Sequence, residues 1–248
     1  DDSFPARPPK EIFDFCEMWS KYKIPFWFNT RIENCKPEYL AALKEAGVYR
    51  MTFGLESGHE EYRKHMLERP MRNDIYYQYF DYINDSDIPY SLNVLIGMPF
   101  ETRDMVMDTA RVIKRAGGYD GLTISMFQPY HGTKLRQIAV DNEFLDDSIV
   151  LNGGFLDNWF LNMPEPYLQK SDVFSLSKTF ALYAYYEESH WELIKKSETD
   201  DELYDKLMKN YKEKFFTGDT QMGGNTKFKY CATHDISSTY NFIEMENI

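Results

Sequence analysis

Residues 47–58 read Gly47-Val48-Tyr49-Arg50-Met51-Thr52-Phe53-Gly54-Leu55-Glu56-Ser57-Gly58, and this stretch decides the fold. Gly47 suits the left-handed cap that ends a helix. The run Tyr49–Gly54 is short, largely apolar and bounded by turn signals, as a buried parallel strand is. It passes directly into Leu55-Glu56-Ser57-Gly58, a polar cluster containing glycine. In parallel α/β architectures ligands bind beyond the carboxyl ends of the strands, so this cluster falls where chemistry is expected.

The unit repeats on both sides. Upstream, a helix from about Lys10 to Lys21 precedes a strand Ile24–Asn29. A second helix opens at Pro37-Glu38-Tyr39-Leu40, with Pro37 suited to the first turn and Leu40, Leu43 and Ala46 on one face. Downstream come a helix Asn73–Asn84, a strand Tyr90–Gly97, a helix Arg103–Ala116 closed by Gly117-Gly118, and a strand Gly121–Phe127. Strand alternating with helix through short loops predicts an α/β fold with a parallel sheet or barrel over residues 1–140. The pattern fails after Leu135. Residues 141–170 read as a loop with short elements, Ser175–Glu188 and Asp201–Phe215 as helices, and Thr217–Asn225 as a loop or linker. Residues 141–248 are therefore expected to form a mainly helical C-terminal extension.

The formal net charge of -12 disfavours nucleic acid as a partner, because an acidic surface repels phosphate. No apolar run of about 18 residues predicts a membrane span, and no signal peptide opens the chain. The opening Asp1-Asp2-Ser3-Phe4, without a Met, is expected to be a cut inside a larger, cytoplasmic protein. Cys16, Cys35 and Cys231 match no zinc or disulfide spacing and read as free, mostly buried thiols. His59, His65, His131, His190 and His234 show no metal-ligand spacing, so no metal site is expected from the residues present. Asn84-Asp85-Ser86 matches a glycosylation sequon with nothing else pointing to secretion.

The strand ends carry the candidate chemistry. The first runs into Asn29-Thr30-Arg31-Ile32-Glu33, where Arg31 suits a carboxylate. Glu56 and Ser57 suit ribose hydroxyls or an ammonium group. Gly54, Gly58 and Gly97 remove side chains, so that a flat ring or a backbone approaches closely. The third strand carries Asn93 and ends Gly97-Met98-Pro99, followed by Phe100-Glu101-Thr102; exposed amides and carbonyls there suit the edge of an adenine. The fourth ends Gln128-Pro129-Tyr130-His131-Gly132-Thr133.

In this order, Asp-Asp-Ser-Phe, Thr-Arg-Ile-Glu, Gly-Leu-Glu-Ser-Gly, Leu-Ile-Gly-Met-Pro-x-Glu-Thr and Phe-x-Pro-x-x-Gly-Thr resemble radical S-adenosylmethionine (SAM) enzymes. The nearest group often carries an N-terminal cobalamin-binding domain. The resemblance covers roughly residues 1–140. It implies a partial, incomplete TIM-like parallel barrel of βα units, of which this chain holds strands three to six and the tip of strand two. It implies SAM contacts at Glu56, Ser57, Asn93, Leu95, Gly97, Pro99, Phe127, Gln128, Arg31 and Asp2. Substrate contacts are placed at Asp1, Tyr130 and His131. No catalytic acid–base residue is required for the first step.

The C-x3-C-x2-C loop that would bind a 4Fe–4S cluster is absent from the sequence. The expectation is a fragment of a radical SAM enzyme, inactive alone. Iron, sulfide, SAM and a reductant would then yield no 5'-deoxyadenosine. The intact parent would generate a 5'-deoxyadenosyl radical or transfer a methyl group as a cobalamin-dependent transferase. Its partners would be a small-molecule substrate and an electron donor such as flavodoxin or ferredoxin. The alternatives are a cluster-free α/β-barrel lyase or hydrolase, and a non-catalytic barrel-derived binding module. Tyr183, Tyr185, Tyr186 and Trp191 read as core of the extension, or else as a cover for the open side of the barrel.

Overall fold

The computed structural model describes residue 4, residues 7–151 and residues 158–215. Asp1, Asp2, Cys231, His234 and the Thr217–Asn225 linker lie outside the described residues. The elements run α1 (Pro9–Ser20), β1 (Phe26–Thr30), α2 (Pro37–Ala46), β2 (Val48–Glu56), α3 (Glu60–His65) and α4 (Asn73–Asp85). Then follow β3 (Tyr90–Ile96), α5 (Arg103–Ala116), β4 (Gly121–Met126) and α6 (Lys134–Asp141). The extension holds α7 (Lys170–Tyr185), α8 (Trp191–Ser197) and α9 (Asp201–Phe215).

The four strands form one parallel sheet in chain order, the arrangement of a partial TIM-like barrel followed by a helical extension. Gly47 takes φ +103° and caps α2 as its position requires. The sequence-based bounds shift in a few places. β2 reaches Glu56 because the register slips between Gly54 and Glu56, which carries the strand into the polar cluster. α7 begins before Ser175, where the backbone N–H of Gln169 donates to the Asp172 carboxylate at 2.9 Å and starts the helix. α3, α6 and α8 are further elements that the sequence pattern did not separate from loop.

Register divides the sheet into two unlike faces. Met51, Phe53, Leu55, Leu92, Val94 and Ile96 are buried on one side, where α2 packs on β2 and α7 on β3 and β4. Burying each such side chain contributes about 1.5–3 kcal/mol. The other side carries Trp27 and Asn29 of β1, Arg50, Thr52 and Gly54 of β2, Ser91, Asn93 and Leu95 of β3, and Thr123 and Ser125 of β4. Thr52 and Ser91 share a hydrogen bond of 3.0 Å across it. Thr123 is exposed, and Asn29, Thr52, Gly54, Asn93 and Ser125 are partly exposed. This face is polar and accessible. At its amino-terminal end Arg50 reaches past Gly121 to a two-pronged pair with Asp120. Trp27 stands 54% exposed on β1, at one end of the sheet.

Candidate functional site

The site begins where β2 ends. Glu56 has φ +62°, a costly backbone conformation for a residue with a side chain. Its carboxylate turns back over Gly54: a Cβ on that glycine would lie 2.4 Å from Glu56 Oε1. Gly54 is thus a glycine to seat Glu56. Arg69 closes the arrangement, donating to the Gly54 carbonyl at 2.7 Å and standing 4.0 Å from Glu56 Oε1. Burial pushes the Glu56 carboxyl above its ordinary range, opposed by Arg69 and then Arg31. Arg31 is half exposed and 3.9 Å from Glu33. Next to this group, Asn93 pairs with Gly54 in register and with Thr123 on the far side.

Ser57 belongs to the support rather than the surface. It is fully buried, and its hydroxyl accepts from the His59 N–H at 3.3 Å. Gly58, expected to let a flat ring or a backbone approach, admits the backbone of α5. A Cβ there would meet the Thr109 Cα of α5 at 2.6 Å, and the Gly58 N–H donates to the Thr109 hydroxyl at 2.8 Å. Arg63, with no exposed surface, donates to the Ser57 carbonyl at 3.1 Å and to Asn73 at 2.7 Å, while stacking on Tyr76. His59 is an intermediate-burial histidine paired with Asp108 at 2.8 Å. The loop carrying Glu56 is therefore fastened by α3, α4 and α5 together.

The turn after β3 differs from expectation. Its backbone groups are engaged within the chain. The Ile96 carbonyl accepts from Phe127 N at 2.8 Å and the Pro99 carbonyl from the Tyr62 hydroxyl at 2.7 Å. The Gly97 carbonyl accepts from the Trp159 indole at 2.7 Å. The Gly97 and Met98 N–H groups donate to Glu101 at 2.6 and 3.2 Å. Gly97 and Pro99 thus shape the rim without offering these groups to a base edge. The partly exposed Leu95 faces the polar side of the sheet. Phe127 is buried, and the Gln128 amide donates to the Asn158 carbonyl at 2.8 Å. Glu101 is itself buried, and burial pushes its carboxyl up to about 8 despite the two amides. Tyr130 and His131 are exposed on the loop after β4.

Arg69 and Arg63 are supporting residues the sequence reading passed over, and Glu101 stood in a quoted strand-end motif without a role. Only Glu101 had a local signal, as the acid four residues after a strand-ending glycine. The aromatic cluster of the extension does not cover the polar face. Tyr183 packs edge-on against Trp191, and Arg111 of α5 lies over the Trp191 ring. α7 lies against α5 and against β4 and β3. The Asn84 amide of the sequon donates to the Ala116 carbonyl at 2.9 Å. Cys16 and Cys35 are buried, and burial followed by Glu33 raises the Cys35 thiol well above its ordinary range. Among the described residues no group of three or more His, Cys, Asp or Glu could hold a metal ion, so these residues do not fit an iron–sulfur cluster. No described helix is long and apolar enough to cross a membrane.

Residues 7–113 match the model of the Radical SAM superfamily. A solved structure of coproporphyrinogen III oxidase from Escherichia coli, titled a radical SAM enzyme, has a similar fold, with a TM-score of 0.53 at 12% sequence identity. That similarity covers 75% of this chain and 39% of the other, so the chain corresponds to well under half of that protein's length. No similar sequence is found among curated proteins. From the approach to α1 to the last turn of α5, residues 7–113 are thus the part of this chain that is similar to the radical SAM superfamily.

Proposed function

We propose that this chain supplies the SAM-facing wall of a radical SAM enzyme. The observation that carries the reading is the Gly54–Glu56–Arg69 group at the carboxyl end of β2. It offers an anion and a cation side by side, with Arg31 nearby. The amino-acid end of SAM carries an ammonium and a carboxylate, and charge-assisted hydrogen bonds to both are the strong ones available to it. Glu56 takes the ammonium, and Arg69 with Arg31 takes the carboxylate. Asn93, Thr52 and Thr123 supply neutral donors and acceptors along the polar face for the ribose. The domain match and the shared fold support this assignment. The engaged backbone of the turn after β3 directs adenine to the apolar Leu95 and to the shape of the rim.

Bound SAM would supply the reactive carbon centre. The chain's own part is to bind, orient and exclude water from it. The cluster ligands do not lie among the described residues. Equilibrium dialysis with labelled SAM tests the reading on the intact protein. Wild type should bind, and Glu56→Ala should weaken binding about tenfold, or ~1.4 kcal/mol. A wild-type protein that binds no SAM would overturn it.

A further inference from the structure

The turn after β3 is built in an unfavourable conformation. Gly97 has φ +87° and Phe100 φ +64°, and a phenylalanine with positive φ persists only where its surroundings over-determine it. The surroundings come largely from beyond the matched domain. The Phe100 N–H donates to the Met163 sulfur at 3.2 Å. The Phe100 ring meets Phe144 and Tyr167 at centroid distances of 4.9 and 5.3 Å. A Cβ on Gly97 would come within 2.6 Å of the Trp159 indole nitrogen and 3.0 Å of Val173 Cγ2.

Two neighbouring residues then join two strands. Trp159, only 3% exposed, holds the Gly97 carbonyl after β3. Asn158 receives the Gln128 side chain after β4. The strands themselves are already linked there by Phe127 N to the Ile96 carbonyl. We propose that Asn158 and Trp159 form a positioning clasp, by which the C-terminal extension sets the spacing of the rim that receives the nucleoside half of SAM. This rests on the SAM reading above. Trp159 touches no ligand in this role; it acts through Gly97.

Trp159→Phe keeps the ring and removes the donor. In the intact protein, calorimetric titration with SAM, 5'-deoxyadenosine and methionine separates positioning from general stability. The expected result is about tenfold weaker binding of SAM and 5'-deoxyadenosine, with methionine unchanged. An equal loss for methionine, or no loss at all, overturns the clasp. If the variant does not fold, wild-type hydrogen exchange decides the matter. SAM should slow exchange at residues 96–100 and 158–160 together, and slowing confined to 96–100 overturns the proposal. A wild type that binds neither SAM nor 5'-deoxyadenosine refutes the SAM reading itself, whereas binding unaltered by Trp159→Phe refutes only the clasp.

Discussion

At the scale of single residues, the site depends on charges that are partly or wholly removed from water. Arg69 is the cation nearest Glu56 and also holds the Gly54 carbonyl. Arg69→Met should therefore weaken SAM binding about as much as the Glu56 change, roughly tenfold in dialysis. Its effect on melting temperature should be small, since a pair 4.0 Å apart at a part-exposed rim contributes modestly to stability. Glu101 gives a pH prediction. Its carboxyl is pushed from an ordinary 4.5 up to about 8 by burial. Between those values the folded state binds more protons than the unfolded one, so stability falls as pH rises through the window. Thermal melts from pH 5 to 8 should show this decline in wild type, and Glu101→Gln should flatten it. Glu56 was legible in the sequence because it follows a strand run directly. Arg69 was not, because the chain must fold through α3 before its guanidinium returns to β2. Distance in sequence hides such partners.

At the scale of elements, the glycines of one motif serve different neighbours. Gly54 seats a carboxylate, whereas Gly58 admits the backbone of α5. Gly58→Ala places a methyl against main-chain atoms that cannot rotate away. It should cost about 1–3 kcal/mol, read as a lower denaturation midpoint with unchanged slope. The four strands were legible because each is a short, largely apolar run bounded by turn signals, and α5 because its apolar face repeats through fourteen residues. α3 and α8 were not, being six and seven residues long, too short to establish a period. The polar turns at strand ends marked where the site lies. They could not show which backbone groups were already spent on one another, since those partners, Tyr62 and Trp159, come from other parts of the chain.

At the scale of the whole molecule, the extension is tied to the barrel unit by buried charge. Arg103 at the start of α5 makes a two-pronged pair with Glu198 just after α8, and Tyr183 donates to the same carboxylate at 2.6 Å. Removing one partner leaves a largely buried charge unpaired. Arg103→Met should cost about 3 kcal/mol and lower the thermal midpoint, whereas exposed pairs such as Lys10 with Asp14 should be nearly neutral when broken. The sheet has a further consequence for handling the protein. β1 is an edge strand of sequence Phe26-Trp27-Phe28-Asn29-Thr30, without charge or proline, and among the described residues no strand lies on its outer side. Such an edge templates the addition of strands from other chains. Where no further strand pairs with it, such an edge makes self-association rise with concentration, and Trp27→Lys should lower that association in light scattering.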